Sequence, residues 1–427
     1  LSVKDASSVD KGQLLGPPRP IPQLSREEFA EWRRSGRWLD EGESVLLRDV
    51  ERGVREVVNF GGREFSLSPS HGVPGRSVVT VQVPGMIGVF PRGFYCRINV
   101  KVEDMGEDRQ AEYERAYERY LLESRIDGLY VGFRWNLIEP AEGKIRWEFF
   151  DFWLELAEKY GKRMMFMVTA GTKTPSWVFE AGATCFPFID RNRYHSTYGE
   201  TLVTTVPWDP LFLEEWTWMI RSLGERYASS KALAAVSATG PAKTSGEMHL
   251  PNSPEDMERW EHLGLTQDRV VEAWKRCFSA WADSFPQKAL VLTVSKLNIV
   301  PGDAVDEIVE YALTRYPGRT VLRSAGLNGK RPVTRAFADW GFSGLMTALN
   351  TPIFYGWLGS QPERMGDYGV ALQNARATGA CGLTIGDSLW DPRWEEALTK
   401  LRADFLSRGS LDAFPTRKPS DRNQRRI

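Results

Sequence analysis

Apolar residues along this chain alternate between two patterns. Short, nearly continuous apolar runs are followed by stretches in which apolar residues recur every three to four positions. The span 129–168 is the clearest case. The run LYVGFRW at 129–135 ends in Asn136 and a loop. The next stretch carries Phe149, Phe152, Trp153, Leu156, Ala157 and Tyr160 at helical spacing, and Gly161-Lys162-Arg163 stops it. A second apolar run at 164–168 leads into another loop. Strand, helix, strand is the unit from which parallel sheets are built.

From about residue 93 this unit repeats. The expected strands are 95–100, 129–135, 164–168, 234–238, 289–294, 320–323, 344–348 and 381–385. The expected helices between and after them are 109–123, 148–160, 210–227, 267–283, 303–315, 332–339, 365–378 and 393–406. A ninth apolar run, 354–357, competes for the place of strand seven. Eight alternations imply the α/β class and a (β/α)8 TIM barrel. The runner-up is an open doubly wound sheet, but no Gly-rich phosphate loop opens a helix here.

Residues 1–92 read as an N-terminal extension packed on the barrel. Ser25 and Glu28 form a capping box for a helix near 26–36, and alternating segments near 44–49, 54–60 and 77–83 suggest short antiparallel strands. The barrel then spans 93–410, and 411–427 is a basic C-terminal tail. Two loops are long, 170–209 and 239–266. Both follow strands and rise on the C-terminal face, where barrel active sites lie.

Charge and composition narrow the function. The 55 basic and 56 acidic residues leave a net charge of −1, which argues against nucleic acid or an anionic membrane surface as partner. No apolar run reaches the ~18 residues of a membrane span. Four dispersed cysteines make neither a disulfide scaffold nor a zinc site. Cys96 and Cys381 fall in the first and last strands, which a closed barrel makes neighbours, so either a bridge or two buried thiols fits. Few cysteines fit an exported protein, extracellular or periplasmic, and the opening Leu1 fits either a processed form or a chain without its export signal. Oligomeric state is not specified.

Sixteen tryptophans are many for this length, and several follow strand ends: Trp135, Trp177, Trp208, Trp357 and Trp390. Trp216, Trp218, Trp274 and Trp281 lie in helical patterns and read as core. Sugar sites use aromatic faces because pyranose rings present flat C–H surfaces. Cleavage of a glycosidic bond also needs two carboxyl groups. Glu247 is the leading candidate for one, on the Gly-containing loop after strand four. For the second, Glu363 follows the run that contains Tyr355 and Trp357, and Asp387 ends strand eight. Glu139 reads as a loop cap or an arginine partner. Arg134 and Asn136 follow a strand end directly, and His195 and His249 lie in the two long loops; these four are candidate substrate ligands. No ligand spacing suggests a metal.

At these residues the chain resembles the clan A glycoside hydrolases, a (β/α)8 superfamily. The resemblance rests on Phe133-Arg-Trp-Asn-Leu-Ile-Glu-Pro-Ala-Glu-Gly, Trp147-Glu-Phe-Phe-Asp and Ala157-Glu-Lys-Tyr-Gly-Lys-Arg. Thr174-Pro-Ser-Trp-Val and Val206-Pro-Trp-Asp-Pro-Leu-Phe look like the third-strand loop and following helix of beta-galactosidase-like members, and Trp390 matches an aromatic common after strand eight. The resemblance implies an acid/base after strand four, here Glu247, although Gly246 stands where the clan usually has Asn. It implies a nucleophile Glu after strand seven, for which Glu363 is nearest.

The expectation is therefore a glycosidase that cleaves an oligo- or polysaccharide without a cofactor, with Trp135, Trp177, Trp357 and Trp390 lining its cleft and Tyr355 among the residues that contact substrate. Two rivals stay open. One is a barrel that binds glycans without cleaving them. The other is a polysaccharide lyase acting on uronic acids, for which Arg134, Arg191, Arg193, Tyr194 and His195 are available.

Overall fold

The computed structural model describes residues 91–407 except 194, 245, 301–302, 317, 331–351, 358–364 and 379, together with the backbone of five short strands between 23 and 81. Those five are β1 (Gln23–Leu24), β2 (Leu46–Leu47), β3 (Glu56–Phe60), β4 (Arg63–Ser70) and β5 (Val78–Val81). β3, β4 and β5 form an antiparallel sheet, as the alternation suggested, but β2 pairs in parallel with β1. β4 was not anticipated, because its sequence REFSLSPS is polar and carries Pro69. The helix expected near 26–36 and the basic tail lie outside the described residues.

Eight parallel strands close into a barrel. In barrel order they are β6 (Gly93–Asn99), β7 (Ile126–Arg134), β8 (Arg163–Thr169), β11 (Leu233–Ser237), β12 (Ala289–Thr293), β13 (Thr320–Leu327), β14 (Ile353–Trp357) and β15 (Ala380–Ile385). The seventh strand is thus the run that had competed with 344–348, a segment outside the described residues together with the helix expected at 332–339. With helices between its strands, the molecule is a (β/α)8 TIM barrel.

The helices follow the periodicity. They include α1 (Glu107–Leu122), the one-turn α2 (Trp135–Ile138), α3 (Glu148–Lys159), α4 (Ser176–Glu180), α5 (Pro210–Tyr227), α6 (Pro254–His262), α7 (Gln267–Ser284), α8 (Asp303–Arg315), α9 (Tyr368–Ala377) and α10 (Glu395–Ser407). α3 buries Phe149, Phe152, Trp153, Leu156 and Ala157, the stripe read from its spacing. Each large side chain so buried contributes about 2–3 kcal/mol. Trp216, Trp274 and Trp281 are core, whereas Trp218 lies off the apolar stripe of α5 and is exposed. Local chemistry starts the helices. Asp209 accepts from Phe212 N ahead of Pro210 at α5, and Ser253 with Asp256 makes a capping box at α6. Barrel closure is braced from outside by Asp127, which accepts from Phe94 N and from the Arg402 guanidinium of α10.

Inside the barrel the side chains change character with height. Tyr95, Tyr130, Met165, Ala235, Ala289, Val291, Val321, Phe354 and Cys381 form an inner core. Two residues further along β6, β11, β12 and β13, on the same inward side, stand Arg97, Ser237, Thr293 and Arg323. The interior is apolar below and polar toward the C-terminal mouth. Cys381 belongs to this inner core while Cys96 packs in the outer one between strands and helices. Facing opposite ways, both remain free thiols, and no bridge joins β6 to β15.

Candidate active site

The two long loops contain structure of their own and meet over the mouth. The loop after β8 carries α4 and the antiparallel hairpin β9 (Cys185–Ile189) and β10 (Thr201–Thr205). The loop after β11 runs through Glu247 before reaching α6. It is tied to its neighbours on both sides: Thr172 N donates to Lys243 O at 2.7 Å, Met248 N to Ser295 Oγ at 2.7 Å and Leu250 N to Asn298 Oδ1 at 3.0 Å. Gly171, at φ +66, leaves room for this crossing, since a Cβ there would lie 2.0 Å from Ala242 O.

This anchoring puts Gly246 directly over the barrel interior. A Cβ on Gly246 would approach Met167 Sδ at 2.9 Å, Thr239 Cγ2 at 3.2 Å and Thr293 Oγ1 at 3.6 Å, all from inward-facing positions on or just beyond barrel strands. Glu247, the next residue, is therefore held at the mouth, half-buried. Its Oε2 is 3.8 Å from His249 Nε2. Burial holds the His249 imidazole below its usual pKa, against the pull of Glu247 and with help from Lys243 and His195. At neutral pH the contact is between a carboxyl group and an uncharged ring.

Below this loop lies a cationic cluster that the sequence reading did not pick out. The Arg97 guanidinium stacks 4.2 Å from the Tyr130 ring centroid, and Arg323 lies 5.2 Å from the same centroid. The Tyr130 hydroxyl shares a 2.8 Å hydrogen bond with Ser237 Oγ, and Arg323 Nη1 donates to Thr293 Oγ1 at 3.2 Å. Burial alone would raise the Tyr130 pKa, but Arg323, Arg97 and the hydroxyl's hydrogen bonds outweigh it and the net direction is down. The signal for this cluster was available: an Arg on the inward alternation of a strand otherwise packed with apolar residues.

Of the residues singled out from sequence, Glu247, His249, Arg134, Asn136 and Trp177 lie on the C-terminal face. Arg134 ends β7 half-buried, where its charge and burial lower the pKa of Lys173, burial being the larger cause. Asn136 is exposed. Trp177 is half-buried and its Nε1 donates to Glu139 O at 3.1 Å.

Other expected ligands are engaged by the protein itself. Trp135 is fully buried among Trp177, Phe212 and Trp216, with Nε1 donating to Glu139 Oε2 at 2.6 Å, so it supports the wall and presents no face to a ligand. Glu139 also accepts from Gly143 N at 3.0 Å and so caps the loop after α2. Tyr355 is fully buried and donates to Thr378 Oγ1, because it faces the helix layer. Both ring nitrogens of His195 are used within its own loop, by Asp190 and by Asn192, each at 2.8 Å.

Asp387 and Trp390 are corrected for a shared reason. A register shift near the start of β15 leaves Thr384 beside inward Tyr95 and Ile385 beside outward Cys96. The chain then turns out of the barrel. Asp387 accepts from Tyr120 Oη at 2.7 Å, Trp390 donates to Glu123 Oε2 at 3.1 Å, and Arg119 covers the Trp390 ring at 3.6 Å. Those partners belong to the C-terminal end of α1 and the segment entering β7, outside the barrel. Glu363 and the Trp357 side chain lie outside the described residues, as does Tyr194.

A family model described as beta-galactosidase, of the glycoside hydrolase 42 type, matches residues 118–287, from within α1 to just past α7. The beta-galactosidase of Rahnella sp. R3, a cold-adapted enzyme, is similar in structure with a TM-score of 0.51 at 12% identity, over 78% of this chain and 58% of that one. The resemblance to the clan A glycoside hydrolases holds. Glu247 lies within the matched span, on the loop after β11, the fourth barrel strand. The beta-galactosidase of the psychrophilic Marinomonas ef1 matches with a TM-score of 0.45 at 14% identity, over 74% of this chain and 62% of that one. The catalytic domain of a Paenibacillus polymyxa beta-amylase gives 0.44 at 11%, over 69% and 92%. The chain thus spans about three fifths of the length of the two beta-galactosidases. No curated protein matches the sequence. Among the described residues no group of three or more His, Cys, Asp and Glu is arranged to hold a metal, and no helix is long and apolar enough to cross a membrane.

Proposed function

We propose that this chain is a glycoside hydrolase acting on an oligo- or polysaccharide, with the barrel at 93–410 as its catalytic domain and 1–92 as an extension packed on it. The observation that carries the reading is Glu247, fixed at the barrel mouth by a loop bonded to both neighbouring loops, in a span that matches a beta-galactosidase family model.

In this reading Glu247 gives its proton to the glycosidic oxygen as the bond to the anomeric carbon breaks. Glu363, following β14, attacks that carbon from the opposite face. Water then hydrolyses the glycosyl ester with Glu247 as base, which retains configuration and requires carboxyl groups about 5–5.5 Å apart. Asp387 has no part in this scheme, because it faces α1. Trp177, Asn136 and Arg134 are the proposed sugar contacts on the rim.

The test compares wild type with Glu247→Gln on a panel of polysaccharides and aryl glycosides, reading new reducing ends and ultraviolet absorbance together. The expected result is reducing ends without absorbance, reduced by about 10²-fold or more in the variant. Absorbance from an unsaturated sugar would overturn hydrolysis in favour of elimination. Undiminished cleavage by the variant would remove Glu247 from the chemistry.

A further inference from the structure

We infer that the barrel mouth binds a sugar bearing a carboxylate, seated between Arg97 and Arg323. The inference rests on the glycosidase reading for the sugar, and on the interior of the barrel for the charge.

Two guanidinium groups share one small space inside a sheet. Each lies near the Tyr130 ring, and the charge of Arg323 adds to burial in lowering the Arg97 pKa. Like charges held close together in a partly buried site repel one another unless an anion joins them. Among the described residues no acidic side chain pairs with either guanidinium. Arg97 Nη1 and Arg323 Nε are buried and find no hydrogen-bond partner among the described residues. Orphaned buried donors are uncommon in folded proteins and call for an explanation.

Tyr130 cannot supply the missing charge by itself. Its hydroxyl bonds with Ser237 and also with Arg97, and one phenolate would balance only one of the two cations. The chain also makes room for the pair. A Cβ on Gly132 would lie 2.7 Å from Arg97 Nη2, and one on Gly356 would lie 2.1 Å from Arg323 Nη2. Two strand interiors therefore lack a side chain just where the guanidinium groups sit.

The site is reachable. Arg97 and Arg323 are set deep in the protein yet keep part of their surface accessible, and Asn99, two residues above Arg97 on β6, is exposed. That combination describes groups lining an open cleft. The rim repeats the sign, with Arg134 at the end of β7 and Lys173 on the turn that follows β8. A carboxylate fits planar guanidinium donors by paired N–H contacts. An overall charge of −1 hides this local excess.

The test is calorimetric binding to the full chain of short galacturonan, glucuronan and mannuronan oligosaccharides, each beside its carboxyl-reduced neutral counterpart, with cleavage of the same six compounds followed in parallel. At least one acidic oligosaccharide is expected to bind about tenfold or more tighter than its neutral counterpart. Arg323→Gln and Arg97→Gln are each expected to abolish that preference while neutral glycans bind as before. Equal binding within every pair, no binding of any, or a preference that survives both substitutions overturns the inference. Should either variant fail to fold, the wild-type pairs alone decide. Inorganic phosphate and sulfate serve as competitors: displacement of the acidic glycan at equal affinity would mark a general anion seat and overturn the sugar carboxylate. The two readings separate cleanly, because acid-selective binding without cleavage defeats the hydrolase and leaves the seat, whereas cleavage of neutral glycans without preference does the reverse.

Discussion

Glu139→Gln probes the wall behind the candidate site. Glu139 is fully buried, accepts hydrogen bonds from Trp135 Nε1 and Gly143 N, and through its carbonyl holds Trp177 at the rim. Burial pushes its pKa up to about 7 from 4.5; the hydrogen bonds from Trp135 and Gly143 oppose this, and the charges of Glu215 and Glu142 add to it. The folded protein thus binds this proton more tightly than the unfolded chain does. The stabilising contribution is fully present below the unfolded value and is lost as pH rises through the folded one. The separation between 4.5 and about 7, at ~1.36 kcal/mol per pH unit, caps the effect near 3 kcal/mol, and most of it falls between about pH 5 and pH 8. Gln carries no such titration. Its amide cannot accept from Gly143 N while its oxygen accepts from Trp135, which costs about 1 kcal/mol at every pH. Urea unfolding of both proteins at pH 5 and pH 8, followed by tryptophan fluorescence and circular dichroism, isolates the titration because other groups cancel in the difference. The stability advantage of wild type over the variant should fall by about 2 kcal/mol from the lower to the higher pH, which at pH 8 brings the variant level or ahead. A gap constant within about 0.5 kcal/mol, or one that widens with pH, would refute a protonated Glu139 and the desolvation argument behind it.

Gly171→Ala should drive a Cβ into Ala242 O and Lys243 O, lowering stability by about 2 kcal/mol and the proposed glycosidase activity by about tenfold through the loop that carries Glu247; unchanged melting with unchanged kcat/KM would contradict that anchoring. Asp387→Asn should leave kcat/KM within about twofold, since the side chain meets Tyr120 outside the barrel, and a drop of about 10²-fold would return it to the chemistry. Asp127→Asn should lower stability by about 2 kcal/mol in chemical denaturation, because it weakens the charge-assisted contacts of Arg402 and Phe94 N across the barrel closure.

Periodicity made most of the barrel legible. β8, β12, α5 and α8 sit within a residue or so of their expected bounds because each element pairs one apolar pattern with clear end signals, such as Asp209-Pro210 at α5. Strand seven was ambiguous for a physical reason: two apolar runs of similar length lay in one interval, and only pairing with β13 and β15 selects Ile353–Trp357. The hairpin β9–β10 and helix α6 stayed hidden inside apparent loops, since short two-sided strands such as CFPFI carry a Pro and too few residues to establish a period.

The candidate site was legible only where topology determines which face a loop joins. Position after the fourth strand was enough to place Glu247 on the C-terminal face, because every βα loop of a barrel rises there. Position after the eighth strand was not enough for Asp387 and Trp390. One register shift in β15 changes which residues point inward, and a shift of one residue moves a whole set of side chains to the other face of the sheet. Trp135 and Tyr355 show the same limit from the other side: an aromatic at a strand end reads as a sugar platform, yet here each completes a buried wall. The Arg97–Tyr130–Arg323 cluster shows what a composition-level argument loses. Acidic and basic residues balance over the chain, while the inward alternation of β6 and β13 gathers cations at one point inside it. Net charge speaks to solubility and long-range association, whereas the sign of a ligand is determined by the few charges the fold removes from water and leaves without a partner.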